Sequence, residues 1–236
     1  MSLRQRNDQA HELLDAPTVD DATLRRNLAD IRRINAVLGW TRYAAAYVVR
    51  TAAASGATHF SLLDVAAGSA DIAVAIARRA RRHGLDATIV ASDLSEQVVR
   101  IATAAAAGVA GVRVERQDAL NLGYPDGTFD IALCTLALHH FDPDAATSVL
   151  RNLGRVGRRV VVFDAARSPL AWAGAWLLTR LLRMDAMTRH DAPLSVARSY
   201  NRRELTELAR RAGLRDVRVW VTFPYRLALA ARGGAA

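Results

Sequence analysis

The sequence predicts an α/β fold: a doubly wound, mostly parallel seven-stranded sheet with helices on both faces and an N-terminal helical cap. Three observations carry this prediction. From residue 56 onward, short apolar runs alternate with helix-length segments, the order that builds parallel strands joined by crossovers. The first run, Leu62-Leu63-Asp64-Val65, breaks into Ala66-Ala67-Gly68-Ser69-Ala70-Asp71 and resumes in helix formers, which reads as strand, tight turn, helix. Acids or polar groups then close or follow the next runs, at Asp93, Asp118 and Thr135. In such sheets the carboxyl ends of the strands converge on one crevice.

In chain order, residues 1 to about 20 are polar, end near Pro17 and form a loose lead or a short helix. Asp20 and Asp21 are placed to cap the helix in which Leu24, Leu28, Ile31, Ile34 and Leu38 recur at helical spacing. Gly39 interrupts, a second helix covers 40–54, and Ser55-Gly56 stops it. These first 55 residues are too few for an independent enzyme domain and are read as a cap on the domain 56–236. Strands follow at 60–65, 87–93, 112–116, 129–134 and 159–164, with helices at 70–83, 96–107 and 143–156 between them. Ser95 is an N-cap, and Pro143 stands near a first helical position. A helical insertion occupies about 167–200: an apolar helix from 169 to 183 carrying Trp172 and Trp176, then a polar, less regular stretch to Tyr200. Asn201 caps a helix to 212, and the alternation in 217–223 gives a strand that Pro224 turns back into a hairpin.

Composition bounds the function. The 236 residues are 51% apolar and 23% charged, and the net charge of +9 comes from 32 basic residues, all arginine. The arginines fall in scattered pairs with no dense run among aromatics, so they read as solvated helix faces and no nucleic-acid partner is predicted. Cys134 is the single cysteine, which offers no internal disulfide; with no activating base in view it reads as a small core residue rather than a nucleophile. A polar N-terminus and the lack of a long apolar stretch predict a cytoplasmic protein with no integral membrane segment, monomeric or homodimeric.

A small-residue turn between two strand-end acids suits two kinds of cofactor. A dinucleotide needs glycines for its pyrophosphate and an acid for its ribose. S-adenosyl-L-methionine has a ribose and an adenine but no phosphate. Asp64 before the turn would repel a pyrophosphate and attract a cationic amino-acid moiety. The turn reads Ala66-x-Gly68-x-Ala70 rather than G-x-G-x-x-G, and Asp118 offers an acceptor for an adenine amino group. These three details favour the second.

Taken together, the segments resemble a class I S-adenosylmethionine-dependent methyltransferase over about residues 60 to 165. Asp64 to Ala70 matches the family's first motif, with alanine where Ala66 and Ala70 replace the usual glycines. Asp71 after it is similar to quinone-biosynthesis C-methyltransferases and their small-molecule relatives. Ser92-Asp93-Leu94-Ser95 resembles the second motif, where the acid takes the ribose hydroxyls. Asp118-Ala119 resembles the segment that holds the adenine edge. Strand 129–134 followed by Leu138-His139-His140-Phe141 resembles the fourth motif. The N-terminal helices, the histidine pair and Asp164 to Ser168 also resemble methyltransferases encoded beside type III polyketide synthases. The resemblance implies cofactor contacts at Asp64, Ala66, Gly68, Ala70, Asp71, Asp93, Leu94, Asp118, Ala119 and Thr135. It implies methyl transfer to an oxygen, with carbon second, of a small apolar phenolic, enolic or quinone-type acceptor.

Either His139 or His140 is a candidate base for the acceptor's proton, and packing roles for both stay open. No metal is expected, on the argument that adjacent histidines point apart and no third ligand is spaced nearby. Trp172 and Trp176, a helical turn apart, are core residues or a roof for an aromatic acceptor, with His140 beside it. The arginines flanking their helix (Arg167, Arg180, Arg183, Arg189) also admit peripheral membrane contact, though a cap over the substrate cavity is preferred. Two rival functions stand: an NAD(P)-dependent reductase on a similar sheet, and a non-catalytic binding protein on a methyltransferase fold.

Overall fold

The computed structural model describes Leu3, residues 5–16 and residues 19–234; Pro17, read above as the end of the lead, lies outside them. Seven strands form one sheet: β1 (His59–Val65), β2 (Asp86–Asp93), β3 (Val112–Arg116), β4 (Phe129–Thr135), β5 (Gly157–Ala165), β6 (Arg215–Thr222) and β7 (Arg226–Arg232). Their spatial order is β3-β2-β1-β4-β5-β7-β6. The neighbours among β1 to β5 run parallel, and β7 is antiparallel to both β5 and β6. Strand order reverses between β1 and β4, the switch point at which a crevice opens beyond the carboxyl ends. Register brings those ends level: Val65 pairs with Ser92 on one side and Cys134 on the other.

The helices are α1 (Asp21–Val37), α2 (Trp40–Ala53), α3 (Asp71–Arg82), α4 (Glu96–Ala106), α5 (Pro143–Val156), α6 (Pro169–Leu181), α7 (Ala186–Arg198) and α8 (Arg202–Arg211). Their starts follow local chemistry. Asp20, Ser95, Asp142 and Ser168 each accept a first-turn amide through the side chain, and Asn201 with Glu204 completes a capping box. Helices α2 and α3 are exceptions, with Gly39 and Ala70 at their N-caps and no side chain capping their amides.

Successive residues of a strand face opposite sides, so the central strands supply two cores and read as near-continuous apolar runs. Leu63, Val65, Cys134, Val160 and Val162 pack with α5 and α8 through Leu150, Leu153 and Leu205. Leu62, Ile89, Ile131, Leu133 and Phe163 pack with α2 and α3 through Val48, Ala73 and Ile76. Tyr43 and Tyr47 of α2 meet Phe163 edge-on, each at 5.4 Å between centroids. Helix α1 lies over α4 instead, through Leu24, Leu28, Val98 and Ile101. The polar stretch expected to be irregular contains α7. It includes Pro193, a residue that removes a helix hydrogen bond. Tertiary ties hold α7: Asp191 accepts the amides of Leu13 and Leu14, and Thr188 bonds Asn27 and Asp30.

Candidate active site

The crevice is built on the turn between β1 and α3. Ala66, Gly68 and Ala70 all hold left-handed backbone, with φ of 53°, 53° and 58°. The turn lies at the positive end of α3, which no side chain caps, and its own amides tie it to β2: Ala67 N donates to Ser92 O at 2.9 Å and Gly68 N to Asp93. A Cβ added at Gly68 would meet only Leu28 of α1, at 3.9 Å, so the turn faces open space beneath α1. Asp64 closes the bottom. It is 1% exposed, and its Oδ1 has no hydrogen-bond partner among the described residues. Burial, with Asp71 and Asp93 nearby, pushes its carboxyl well above the usual range.

Asp93, at the end of β2, is half-buried. Its oxygens accept the amides of Gly68 at 3.2 Å and Ser95 at 3.1 Å. Burial outweighs these bonds and raises its carboxyl. Since a carboxylate has about four acceptor sites, capacity remains for hydroxyl donors. Thr135, ending β4, is buried with its Oγ1 unpartnered. Two orphaned polar atoms and a positive turn fit a group that brings a cation to Asp64 and hydroxyls to Asp93.

The other expected cofactor residues lie around this centre with different engagements. Asp71 accepts Ser69 Oγ at 3.1 Å on one oxygen, and on the other Thr41 Oγ1 at 3.2 Å and Asn35 Nδ2 at 3.5 Å, which ties the turn to α1 and α2. Leu94 is exposed. Asp118 is half-buried and accepts the amide of Leu120 at 2.8 Å, next to the buried Ala119. Trp172 is half-buried and Trp176 exposed, with the Arg180 guanidinium stacked 4.2 Å from the Trp176 ring centroid. Cys134 is buried and its thiol pushed well up by burial, as a core residue requires.

His139 and His140 form one turn of 3₁₀ helix after β4. The expectation that their rings point apart is corrected. Their centroids are 4.4 Å apart with an interplanar angle of 32°. His139 is buried, and its Nδ1 lies 2.7 Å from Asp164 Oδ1, while Asp164 Oδ2 accepts its backbone amide at 3.0 Å. A carboxylate has no proton to give, so Nδ1 donates and Nε2 carries the lone pair. His140 places Nδ1 2.8 Å from Asp15 Oδ1, and Arg198 Nη1 holds the other Asp15 oxygen at 3.1 Å. A third group does approach: Glu12 Oε1 lies 3.5 Å from His139 Nε2, and Oε2 lies 4.0 Å from His140 Nε2. Burial pushes Glu12 up to about 7.

Glu12, Asp15 and Asp164 were not among the residues singled out. Asp164 had a signal, since it closes the fifth apolar run as Asp64 and Asp93 close theirs. Glu12 and Asp15 had none, because only the fold brings the lead across α7. There Arg6 donates to the carbonyls of His139 and Phe141 at 2.7 Å each, and Asn7 N to Ala197 O at 3.1 Å.

The chain is thus an open α/β sheet with two buried or half-buried acids, Asp64 and Asp93, at its switch point. Residues 62–160 match a family described as "Methyltransferase domain". It is 35% identical over 121 residues to a demethylmenaquinone methyltransferase of Deinococcus radiodurans, covering 49% of this chain and 48% of that one. The chain thus spans about half the length of the curated relatives it matches. Among solved structures it resembles human N-acetylserotonin methyltransferase in complex with SAM, with a TM-score of 0.64 and 14% identity over 92% of this chain and 57% of that one. It also resembles magnesium protoporphyrin IX methyltransferase from Synechocystis with bound SAH, with a TM-score of 0.56 and 21% identity over 82% and 83%. These likenesses show the fold.

Proposed function

We propose that this protein transfers a methyl group from S-adenosylmethionine to an oxygen, in second place a carbon, of a small apolar phenolic, enolic or quinone-type acceptor. The observation that carries the reading is the unpartnered, buried Asp64 oxygen beneath a left-handed turn, with Asp93 across from it. When bound, S-adenosylmethionine supplies an electrophilic methyl on a sulfonium. The residues do the rest. Asp64 takes the ammonium of the amino-acid moiety, and the positive start of α3 faces its carboxylate. Asp93 takes the ribose hydroxyls, while Leu94, Asp118 and Ala119 flank the adenine. Thr135 and the histidine pair face the acceptor, and positioning supplies most of the rate in such a displacement. An Nε2 lone pair of the pair accepts the acceptor's hydroxyl proton, with Asp164 and Asp15 holding the rings. The lead, α1 and the α6–α7 insertion enclose the acceptor.

Isothermal calorimetry tests the donor cradle: Asp93→Ala is expected to weaken S-adenosylmethionine binding at least roughly hundredfold, about 3 kcal/mol, and unchanged affinity overturns it. A reductase is disfavoured because Asp64 would face a pyrophosphate. Tight donor binding without turnover on a phenol and quinol panel would support the non-catalytic alternative.

A specific observation favours a peripheral lipid contact as a second reading. Helix α6 leaves Leu170, Trp176, Leu177 and Leu181 exposed, a face suited to the headgroup boundary. Arg167 does not contribute to it: its side chain is 1% exposed and engages both oxygens of Glu204.

A further inference from the structure

We propose that Glu12, His139 and His140 bind one divalent transition-metal ion, of the zinc type, on the acceptor side of the crevice. The three residues present ligand atoms that all lie within 4.8 Å of one another. Zinc bonds of about 2.0–2.1 Å at tetrahedral angles set ligand atoms about 3.3–3.4 Å apart. The separations of 3.5 Å from His139 Nε2 to Glu12 and 4.0 Å from His140 Nε2 to Glu12 reach that with small side-chain movements.

Three independent features point the same way. Each imidazole has a carboxylate on its far nitrogen, Asp164 for His139 and Asp15 for His140. For His139 this is the hydrogen-bonded carboxylate–histidine arrangement that fixes the ring of a metal ligand, while His140 Nδ1 faces Asp15 at ion-pair distance without a hydrogen bond. Glu12 is 4% exposed and Ser195 bears on its carboxyl, while its Oε1, 3.5 Å from His139 Nε2, has no hydrogen-bond partner among the described residues. Asp164 and Asp15 back the two imidazoles, with the Arg198 guanidinium on Asp15 and Arg6 on the carbonyl of His139, so carboxylate groups stand around the position a dication would take. Two imidazoles and one carboxylate suit zinc, cobalt, iron or nickel, whereas magnesium and calcium prefer oxygen. His140 retains 22% side-chain exposure, so the site is open to an ion from solvent.

Three protein ligands leave a position for water or for the acceptor's oxygen, where a bound metal would favour the ionised form in place of an imidazole base, since the ion would take both Nε2 lone pairs. That use rests on the proposed methyl transfer; the ion's binding does not.

The test takes the full chain, stripped with a chelator, and titrates it with Co²⁺ alone by visible absorption and with Zn²⁺ alone by calorimetry. One ion per chain is expected, with the d–d bands of four- or five-coordinate cobalt. Glu12→Gln and His140→Gln should each weaken binding at least roughly hundredfold, and Asp15→Asn roughly 10–100-fold. His59→Gln and His83→Gln should change nothing. If Glu12→Gln fails to fold by circular dichroism, the part-exposed His140 variant decides. No stoichiometric ion, or an unchanged affinity in the folded variants, overturns the site. Parallel titration with S-adenosylmethionine separates the two readings: donor binding without ion binding overturns the metal site alone, and ion binding without methyl transfer overturns the function alone.

Discussion

Asp64 carries a conflict that a bound cation resolves. With its carboxyl raised in the folded protein, the sign of the linkage is fixed. Its contribution is present below the unfolded value of about 4 and is lost as pH rises through the folded value. The ligand-free protein is therefore weakened at neutral and alkaline pH by an uncompensated buried acid. Asp64→Asn should raise the melting temperature at pH 8 by roughly 2–12 °C, from about 1–3 kcal/mol of relief, and little at pH 3.5. It should also weaken donor binding roughly 10–100-fold. Thermal melts at the two pH values check the first claim and calorimetry the second; a lower melting temperature at pH 8 would contradict it. Ala66 carries a smaller strain. Left-handed backbone costs alanine roughly 1–2 kcal/mol, and glycine gives back about 0.4–1 kcal/mol through the unfolded chain. Ala66→Gly should therefore stabilise by about 0.5–1 kcal/mol, read from the urea midpoint. The alanines that depart from the family's glycines are accommodated, because the turn keeps its left-handed positions with methyl groups on them.

At the scale of elements, α6 and its N-terminal approach divide into a built part and an exposed part. Arg167 donates to Ser199 O at 2.6 Å and to both oxygens of Glu204, joining the end of β5 to α8. Arg167→Ala leaves Glu204 and a carbonyl without their partner and should cost about 3 kcal/mol in urea unfolding; a loss under about 0.5 kcal/mol would show the pair to be incidental. The apolar face of α6 makes the opposite prediction. Leu177→Glu with Leu181→Glu should leave stability within about 0.5 kcal/mol but abolish co-sedimentation with anionic vesicles. Sedimentation unchanged by the pair would place any lipid contact elsewhere. No helix among the described residues is long and apolar enough to cross a membrane.

The whole molecule shows which information was local. The parallel strands, the crossover helices and the caps at Ser95 and Asn201 were legible because each depends on neighbours within a turn or a strand. The crevice acids were legible for the same reason, as strand ends. The place of β7 between β5 and β6 was not, since a hairpin signal gives pairing but no seat in a sheet. Helix α7 was hidden by Pro193 and a weak apolar pattern, its order coming from contacts with the lead and with α1. The histidine cluster was half legible: the pair stood in the sequence, while Glu12 and Asp15 reach it over more than a hundred residues of chain. Contacts that distant carry no spacing signal, so only the assembled fold reveals them.

The central claim is that the crevice beyond β1 and β2 is a cradle for S-adenosylmethionine. Calorimetric titration of the full chain with S-adenosylmethionine and with NADPH, each repeated on Asp93→Ala, tests it most directly. The account predicts a single S-adenosylmethionine site that Asp93→Ala removes, and no heat from NADPH. Binding of NADPH in place of S-adenosylmethionine, or S-adenosylmethionine affinity that survives Asp93→Ala intact, would contradict it.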